Sequence, residues 1–176
     1  MPNTQEITKL LDSIGWRILA ELQENARIQY VELGRRVGLS TVSVIERIRR
    51  MEDAGIITGY SAQIDHHKVG LDVSAYIRVR IIGDYIPRFI SAVRDMQEVS
   101  ECHRITGEDT FLVKVYAATT EDLARIVDKL NPYMTTNTML VFSSPVMRRA
   151  IEAPQNIAPA SGAQKKKTVG NPRFSR

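Results

Sequence analysis

The sequence holds a single cysteine, Cys102, so no disulfide can form within one chain, and the expected compartment is a reducing cytoplasm. It has no apolar run near the ~20 residues that span a bilayer, so no membrane partner is expected. The N-terminus shows no basic segment leading into an apolar one, and no secretory signal is read there. Charge of one sign is also scarce: 24 Lys and Arg against 20 Asp and Glu leave +4 over 176 residues. That small excess is confined to one end. Residues 1–60 carry eight basic and eight acidic side chains, residues 61–146 nine and eleven, and residues 147–176 seven and one. An anion-binding surface in the folded part must therefore come from local clustering. The apolar fraction of 43% supports a core, and the length suits one large domain or two small ones.

Catalytic and metal signals are equally sparse. Cys102 and His103 are adjacent, but neighbours on a strand point to opposite faces and make a poor nucleophile–base dyad. His66 and His67 lack further Cys or His at ligand spacing. No glycine-rich phosphate loop is present. No catalytic residue, metal site or cofactor is assigned, and the chain is not expected to be an enzyme.

Helical periodicity dominates the first 60 residues. Leu11, Ile14, Ile18 and Leu22 predict a helix over about 8–22, with Gly15 inside it. A second helix is predicted over 30–37 from Val31, Leu33 and Val37, and Gly38 ends it. Ser40 suits the N-cap of a third helix over about 41–54, which Gly55 closes. "IITGYSAQI" reads as short strands turning at Thr58-Gly59. Three helices and a strand pair are the order of a winged helix-turn-helix. At ~100° per residue, Val44, Ile48 and Met51 face inward, while Val42, Ser43, Glu46 and Arg50 face away with Arg47 at the boundary. That outer face suits a DNA major groove, and its DNA-binding candidates are Thr41, Val42, Ser43, Glu46, Arg47, Arg49 and Arg50.

The period changes after residue 72. In "VSAYIRVRII", Val73, Ala75, Ile77, Val79 and Ile81 share one face of a strand. Pro87 opens a helix carrying Phe89, Ile90, Val93 and Met96. "VSECHRIT" and "TFLVKVYA" read as strands, the first bulged. Thr120 reads as the N-cap of a helix with Leu123, Ile126, Val127 and Leu130, and "TMLVFSSPV" as a final strand. This βαββαβ order is ferredoxin-like, so the fold class is α+β. The sheet face without helices would carry Tyr76, Ile82, Leu112, Tyr116 and Val141 beside Arg78, Arg80 and Lys114. It is too apolar to stay wet, so a second copy is expected there, with Tyr76, Arg78, Leu112, Tyr116 and Val141 as interface candidates. Asp109 can neutralise an ammonium group, and Thr110, Thr136, Asn137 and Thr138 can bond a carboxylate, as a small amino acid requires.

The segments "LDSIGWRIL", "LQENAR", "ELGRRVGLSTVSVIERIRRMEDAGIITGY", "ITGEDTFLVKV" and "TTNTMLVFSSPV" resemble the Lrp/AsnC family, the feast/famine regulators of bacteria and archaea. The resemblance runs from Ile7 to Val146. It implies an N-terminal DNA-binding domain and a C-terminal domain for amino-acid sensing and assembly into dimers and often octamers. It also adds Gly107 and Glu108 to the effector candidates, because "GEDTF" lies near the family's effector pocket. Four positions depart from the family pattern. Gly15 stands where a second Asp is usual, Gly34 where Ala is usual, and Ile45 where a polar residue is common, which suggests that Ile45 packs on a neighbour. Thr110 replaces a frequent Asp, which leaves the ligand open.

The expected organisation is a winged helix-turn-helix over 1–60, a linker over 61–72, a ferredoxin-like domain over 73–148 and a disordered basic tail over 149–176. The expected function is a sequence-specific, cytoplasmic, nucleoid-associated regulator that binds double-stranded DNA, forms a homodimer or octamer, and responds to an amino acid or related metabolite. Two rivals stand beside it. An architectural protein would wrap DNA with little sequence preference, and a small-molecule-binding oligomer would not bind DNA at all. The ratio of specific to nonspecific affinity separates the three.

Overall fold

A computed structural model describes residues 4–130 and 134–154. The described residues divide into two compact units, residues 4–61 with 148–154, and residues 62–130 with 134–147. The expected linker residues 62–72 thus group with the second unit and residues 148–154 with the first, while the rest of the tail expected over 149–176 lies outside the described residues.

The first unit is helical: α1 Thr4–Leu10, α2 Ser13–Glu24, α3 Tyr30–Val37 and α4 Thr41–Asp53. The helix expected over 8–22 is therefore two helices, broken at Leu11-Asp12. Asp12 causes the break. Its backbone is extended and its carboxylate accepts the Gly15 N–H at 2.7 Å, an N-cap that starts α2 afresh. Gly15 then allows a close approach. A Cβ there would lie 1.8 Å from the Leu10 carbonyl oxygen and 3.0 Å from the Met51 side chain. Ile18, Leu22, Leu33, Val37, Val44, Ile48 and Met51 form one core with Leu10, as the period-3.6 pattern requires. Gly38 takes the left-handed conformation (φ 78°) that reverses the chain between α3 and α4, and Ser40 Oγ accepts the Ser43 N–H to cap α4.

The strand pair expected after α4 does not form among the described residues. Residues 56–65 are without regular pairing, and Ile56 and Ile57 turn back onto the helical core. This segment has no ladder partner among the described residues, and two half-buried isoleucines hold it against the helical core.

The second unit is an antiparallel sheet with two helices on one face. Its elements are β1 Val73–Ile81, α5 Ile86–Asp95, β2 Val99–Arg104, β3 Phe111–Ala117, α6 Thr120–Leu130 and β4 Met134–Leu140, in strand order β2-β3-β1-β4. This is the ferredoxin-like arrangement. Ala75, Ile77, Val79, Phe111, Val113 and Val115 pack on Phe89, Val93, Leu123, Ile126 and Leu130. The expected bulge in β2 lies between Val99 and Glu101. The cap of α6 is Thr119 rather than Thr120: Thr119 Oγ1 accepts the Asp122 N–H, and Asp122 returns the bond to the Thr119 N–H. The last strand is "MTTNTML", earlier than expected. Its β-branched residues suit a ladder; Val141 still donates its N–H to the Ser74 carbonyl at 2.9 Å, and beyond it the chain leaves the sheet and exposes Phe142 almost fully (96%). Ile82 lies beyond the end of β1, exposed, rather than on its open face.

Candidate functional site

Two surfaces carry the polar chemistry, one in each unit. The first is the outer side of α4. Among its exposed residues, Val42, Ile45, Glu46 and Arg49 are spaced i, i+3, i+4 and i+7 and form one stripe along the helix, with Arg50, Glu52 and Asp53 also exposed towards its C-terminal end. Val42 is 74% and Ile45 45% exposed. Ile45 therefore does not pack on a neighbouring element, contrary to expectation. It belongs to the outer stripe, and the i+3 spacing from Val42 is the signal that could have placed it there. Thr41 and Ser43 are half-buried at the N-terminal end, where the Ser40 and Ser43 hydroxyls bond at 2.9 Å.

The arginines divide by partner. Arg47 Nη1 and Nη2 donate to the two Asp12 carboxylate oxygens at 2.7 and 2.6 Å, a bidentate clamp that ties α4 to the start of α2. That hydrogen bonding holds the Asp12 carboxyl below its usual range, against partial desolvation. Arg50 reaches Glu6 of α1 at 3.1 Å. Arg47 is half-buried and holds helices together, whereas Arg50 stays exposed on the outer side with Glu6 as its partner. Arg49 is the most open of the three, with only a 4.0 Å contact to Asp53 one turn on. On α3, Arg35 and Arg36 bond Glu32 and hold its carboxyl at about 2, while Arg36 also pairs with Glu21. Arg17 donates to the Arg36 and Val37 carbonyls and closes the end of α3.

The second surface is the sheet face opposite α5 and α6. Register puts Ser74, Tyr76, Arg78 and Arg80 of β1 beside Tyr116, Lys114 and Leu112 of β3 and beside Met139, Asn137 and Thr135 of β4. Tyr76, Leu112, Tyr116 and Val141 are half-buried and Arg78 is exposed. The Lys114 ammonium lies between the Tyr116 and Tyr76 rings, 5.5 and 5.9 Å from their centroids, and bonds Glu101. His66 stacks on Tyr116 at 4.7 Å, and His66 Nδ1 contacts the Leu71 carbonyl at 2.6 Å. Cys102 and His103 fall on opposite faces, paired with Val113 and Leu112. Burial raises the Cys102 thiol.

The effector candidates do not gather into one group. Asp109 lies at the end of the open face within 3.4 Å of Arg78 and 3.9 Å of Arg80, and Glu108 bonds Arg80 at 2.7 Å. Asn137 is registered with Arg78 on the same face. Gly107 is at the turn between β2 and β3 (φ 114°). Thr110 is tied to β1, its N–H donating to Val79 O and its hydroxyl accepting the Ile81 N–H. Thr136 and Thr138 are registered with Val79 and Ile77 and so point to the helix side. Thr138 lines a shallow groove there of about 420 Å³ with Leu123, Val127 and Leu140. Strand alternation separates residues that a sequence places next to each other.

Comparison with known proteins covers both units. The AsnC-type helix-turn-helix domain model matches residues 11–52, and the Lrp/AsnC ligand binding domain model matches residues 74–151. The HTH-type transcriptional regulator LrpC of Bacillus subtilis is 35% identical over 133 residues, 76% of this chain and 92% of that protein. The LrpC structure superposes with a TM-score of 0.75 at 33% identity, over 78% of this chain and 99% of LrpC. The proline dehydrogenase transcriptional activator of Rhodobacter capsulatus is 44% identical over 112 residues, 62% of this chain and 73% of that protein. The transcriptional regulator NMB0573 of Neisseria meningitidis, solved as a complex with L-Met, matches with a TM-score of 0.74 at 32% identity, over 83% and 97% of the two chains.

Proposed function

The chain belongs to the Lrp/AsnC family of transcriptional regulators, and on that premise we propose that it reads DNA sequence through α4 and adjusts that binding to an amino acid or related metabolite. The observation that carries the reading is the exposed stripe Val42, Ile45, Glu46 and Arg49 on the second helix of the helix-turn-helix. A recognition helix presents such a stripe to the major groove. Val42 and Ile45 suit thymine methyl groups, and Glu46 suits the amino group of cytosine. Arg49 suits a phosphate. Site selection from random duplexes tests this: the parent enriches one motif, and Glu46→Ala shifts it. A Glu46→Ala variant that returns the parent motif removes Glu46 from base reading.

The effector binds at the Asp109 end of the open sheet face, where Asp109 attracts an ammonium group and Arg78 and Asn137 donate to a carboxylate. The family match and the L-Met complex of the Neisseria relative support an amino-acid ligand. A second copy of the chain covers the same face, because Tyr76, Leu112, Tyr116 and Val141 together offer an apolar patch framed by charge. A thermal-shift screen of the twenty amino acids identifies the ligand, since a ligand of the folded state raises apparent stability. Asp109→Asn then abolishes the shift while DNA binding without effector persists. Loss of both together makes Asp109 structural only.

A further inference from the structure

The last four carbonyls of a helix lack partners within it. At the C-terminal end of α3, two of them are taken by α2. Arg17 Nη2 donates to the Arg36 carbonyl, and Arg17 Nη1 donates to the Val37 carbonyl at 3.5 Å. The Gly34 carbonyl accepts the Gly38 and Leu39 N–H groups at 2.8 and 2.9 Å. Arg36, whose carbonyl Arg17 holds, sends its own side chain back to α2, where its Nη1 donates to Glu21 at 2.7 Å. Arg17 and Glu21 are four residues apart and are neighbours on one side of α2. Together they hold the end of α3 by its backbone and by its side chain, and the Arg17 guanidinium also meets the negative end of the α3 dipole. The recognition helix follows at once. Only Gly38, Leu39 and Ser40 separate Val37 from the first residue of α4. That turn is tightly packed: a Cβ on Gly34 would lie 2.6 Å from the Leu39 carbonyl oxygen, and Leu39 packs on the helical core. A shift of the α3 end is therefore passed to the start of α4, where the exposed stripe begins with Val42. At the start of α2, Asp12 holds α4 directly through Arg47. One helix thus fixes both the helix before the turn and the helix after it.

We propose that Arg17, backed by Glu21, is a positioning residue for sequence reading: it holds α4 in the pose that meets base edges and touches no DNA itself. This rests on the DNA-binding reading above. Such a residue acts through preorganisation. When only a fraction of the molecules hold the competent pose, the affinity for a selected duplex falls by that fraction. Attraction to phosphates does not depend on how the base-reading side chains are aimed, so binding to a random duplex and its salt slope stay as they are.

The test uses the full chain and its Arg17→Gln and Glu21→Gln variants. Each is titrated with a selected duplex and a random duplex over a salt series, and its folding is followed by urea unfolding in circular dichroism. Arg17→Gln is expected to lower the affinity for the selected duplex about tenfold, as when the competent pose falls to a tenth of the molecules. Its affinity for the random duplex and its salt slope are expected to match the parent's. Glu21→Gln is expected to lower the selected affinity in the same way. A carboxylate makes no phosphate contact, and neutralising it does not weaken attraction to DNA. This second variant therefore separates positioning from charge, and it carries the test on its own where Arg17→Gln folds poorly. Equal loss for both duplexes in Arg17→Gln, with a salt slope lower by about 0.9, makes Arg17 a phosphate contact and overturns the proposal. Retention of the parent's ratio of selected to random affinity by both variants, whatever their unfolding midpoints, makes the attachment structural only and overturns it as well. In both cases the DNA-binding reading stands. A parent that binds the two duplexes alike overturns that reading, and this proposal with it.

Discussion

Replacing Asp12 by serine separates two roles that one carboxylate performs. Asp12 caps α2 through the Gly15 N–H and clamps Arg47 through both oxygens. Serine is an equally good N-cap, so Asp12→Ser removes only the clamp. The two side chains are 42% and 26% exposed, and after solvent screening the pair contributes about 0.5–1 kcal/mol. Asp12→Ala loses the cap as well and costs about 1.5–2 kcal/mol. The single tryptophan, Trp16, sits on α2 one turn from Asp12, so urea unfolding followed by its fluorescence reports on this unit. The sign of the pH dependence is fixed by the lowered Asp12 pKa. The stabilisation is complete above the unfolded value near 3.9 and is lost as pH falls through the folded value. The gap between parent and Asp12→Ser is therefore constant from about pH 7 to 5 and closes below about pH 4. Arg47→Gln should match Asp12→Ser, and the double variant should be no less stable than either. Fully additive losses, or a gap that widens in acid, refute the clamp.

The clamp also has a consequence at DNA. Arg47→Gln should leave the salt slope of binding unchanged, whereas loss of a phosphate contact would lower it by about 0.9; a drop of that size, read from a salt titration, returns Arg47 to the DNA surface. Gly15→Ala should destabilise the helical unit by at least about 1–3 kcal/mol, because the 1.8 Å approach to Leu10 outweighs the ~1 kcal/mol gain in helix propensity. An unfolding midpoint at or above the parent's contradicts that packing. Leu112→Asp should convert the assembled protein to a monomer in sedimentation at micromolar concentration, and an unchanged state removes the open sheet face from the interface.

Most of the fold was legible because its signals are periodic. The apolar stripe of α4 and the alternation in β1 and β3 identify elements and inner faces without further information. What stayed hidden depends on pairing across space. The apolar run from Leu11 to Leu22 continues through a break that only the Asp12 cap reveals. "IITGYSAQI" has strand composition but no strand partner among the described residues. The arginines of α4 look alike in the sequence, yet Asp12 and Glu6, distant in the chain, occupy two of them and leave Arg49 open. The chemistry of the effector candidates is legible in the sequence, but their placement is not. The register of β4 against β1 sends Asn137 to one face and Thr136 and Thr138 to the other.

The most direct test of sequence reading by α4 is the ratio of affinities for a selected and a random duplex at physiological salt. It is measured for the parent and for an Ile45→Ala/Glu46→Ala/Arg49→Ala variant that remains folded by Trp16 fluorescence. The account predicts a ratio of at least about 10³ for the parent and a collapse towards unity in the variant, whose residual binding is the salt-sensitive, sequence-independent part. A parent ratio below about tenfold, or a variant that keeps the parent's ratio, would contradict it.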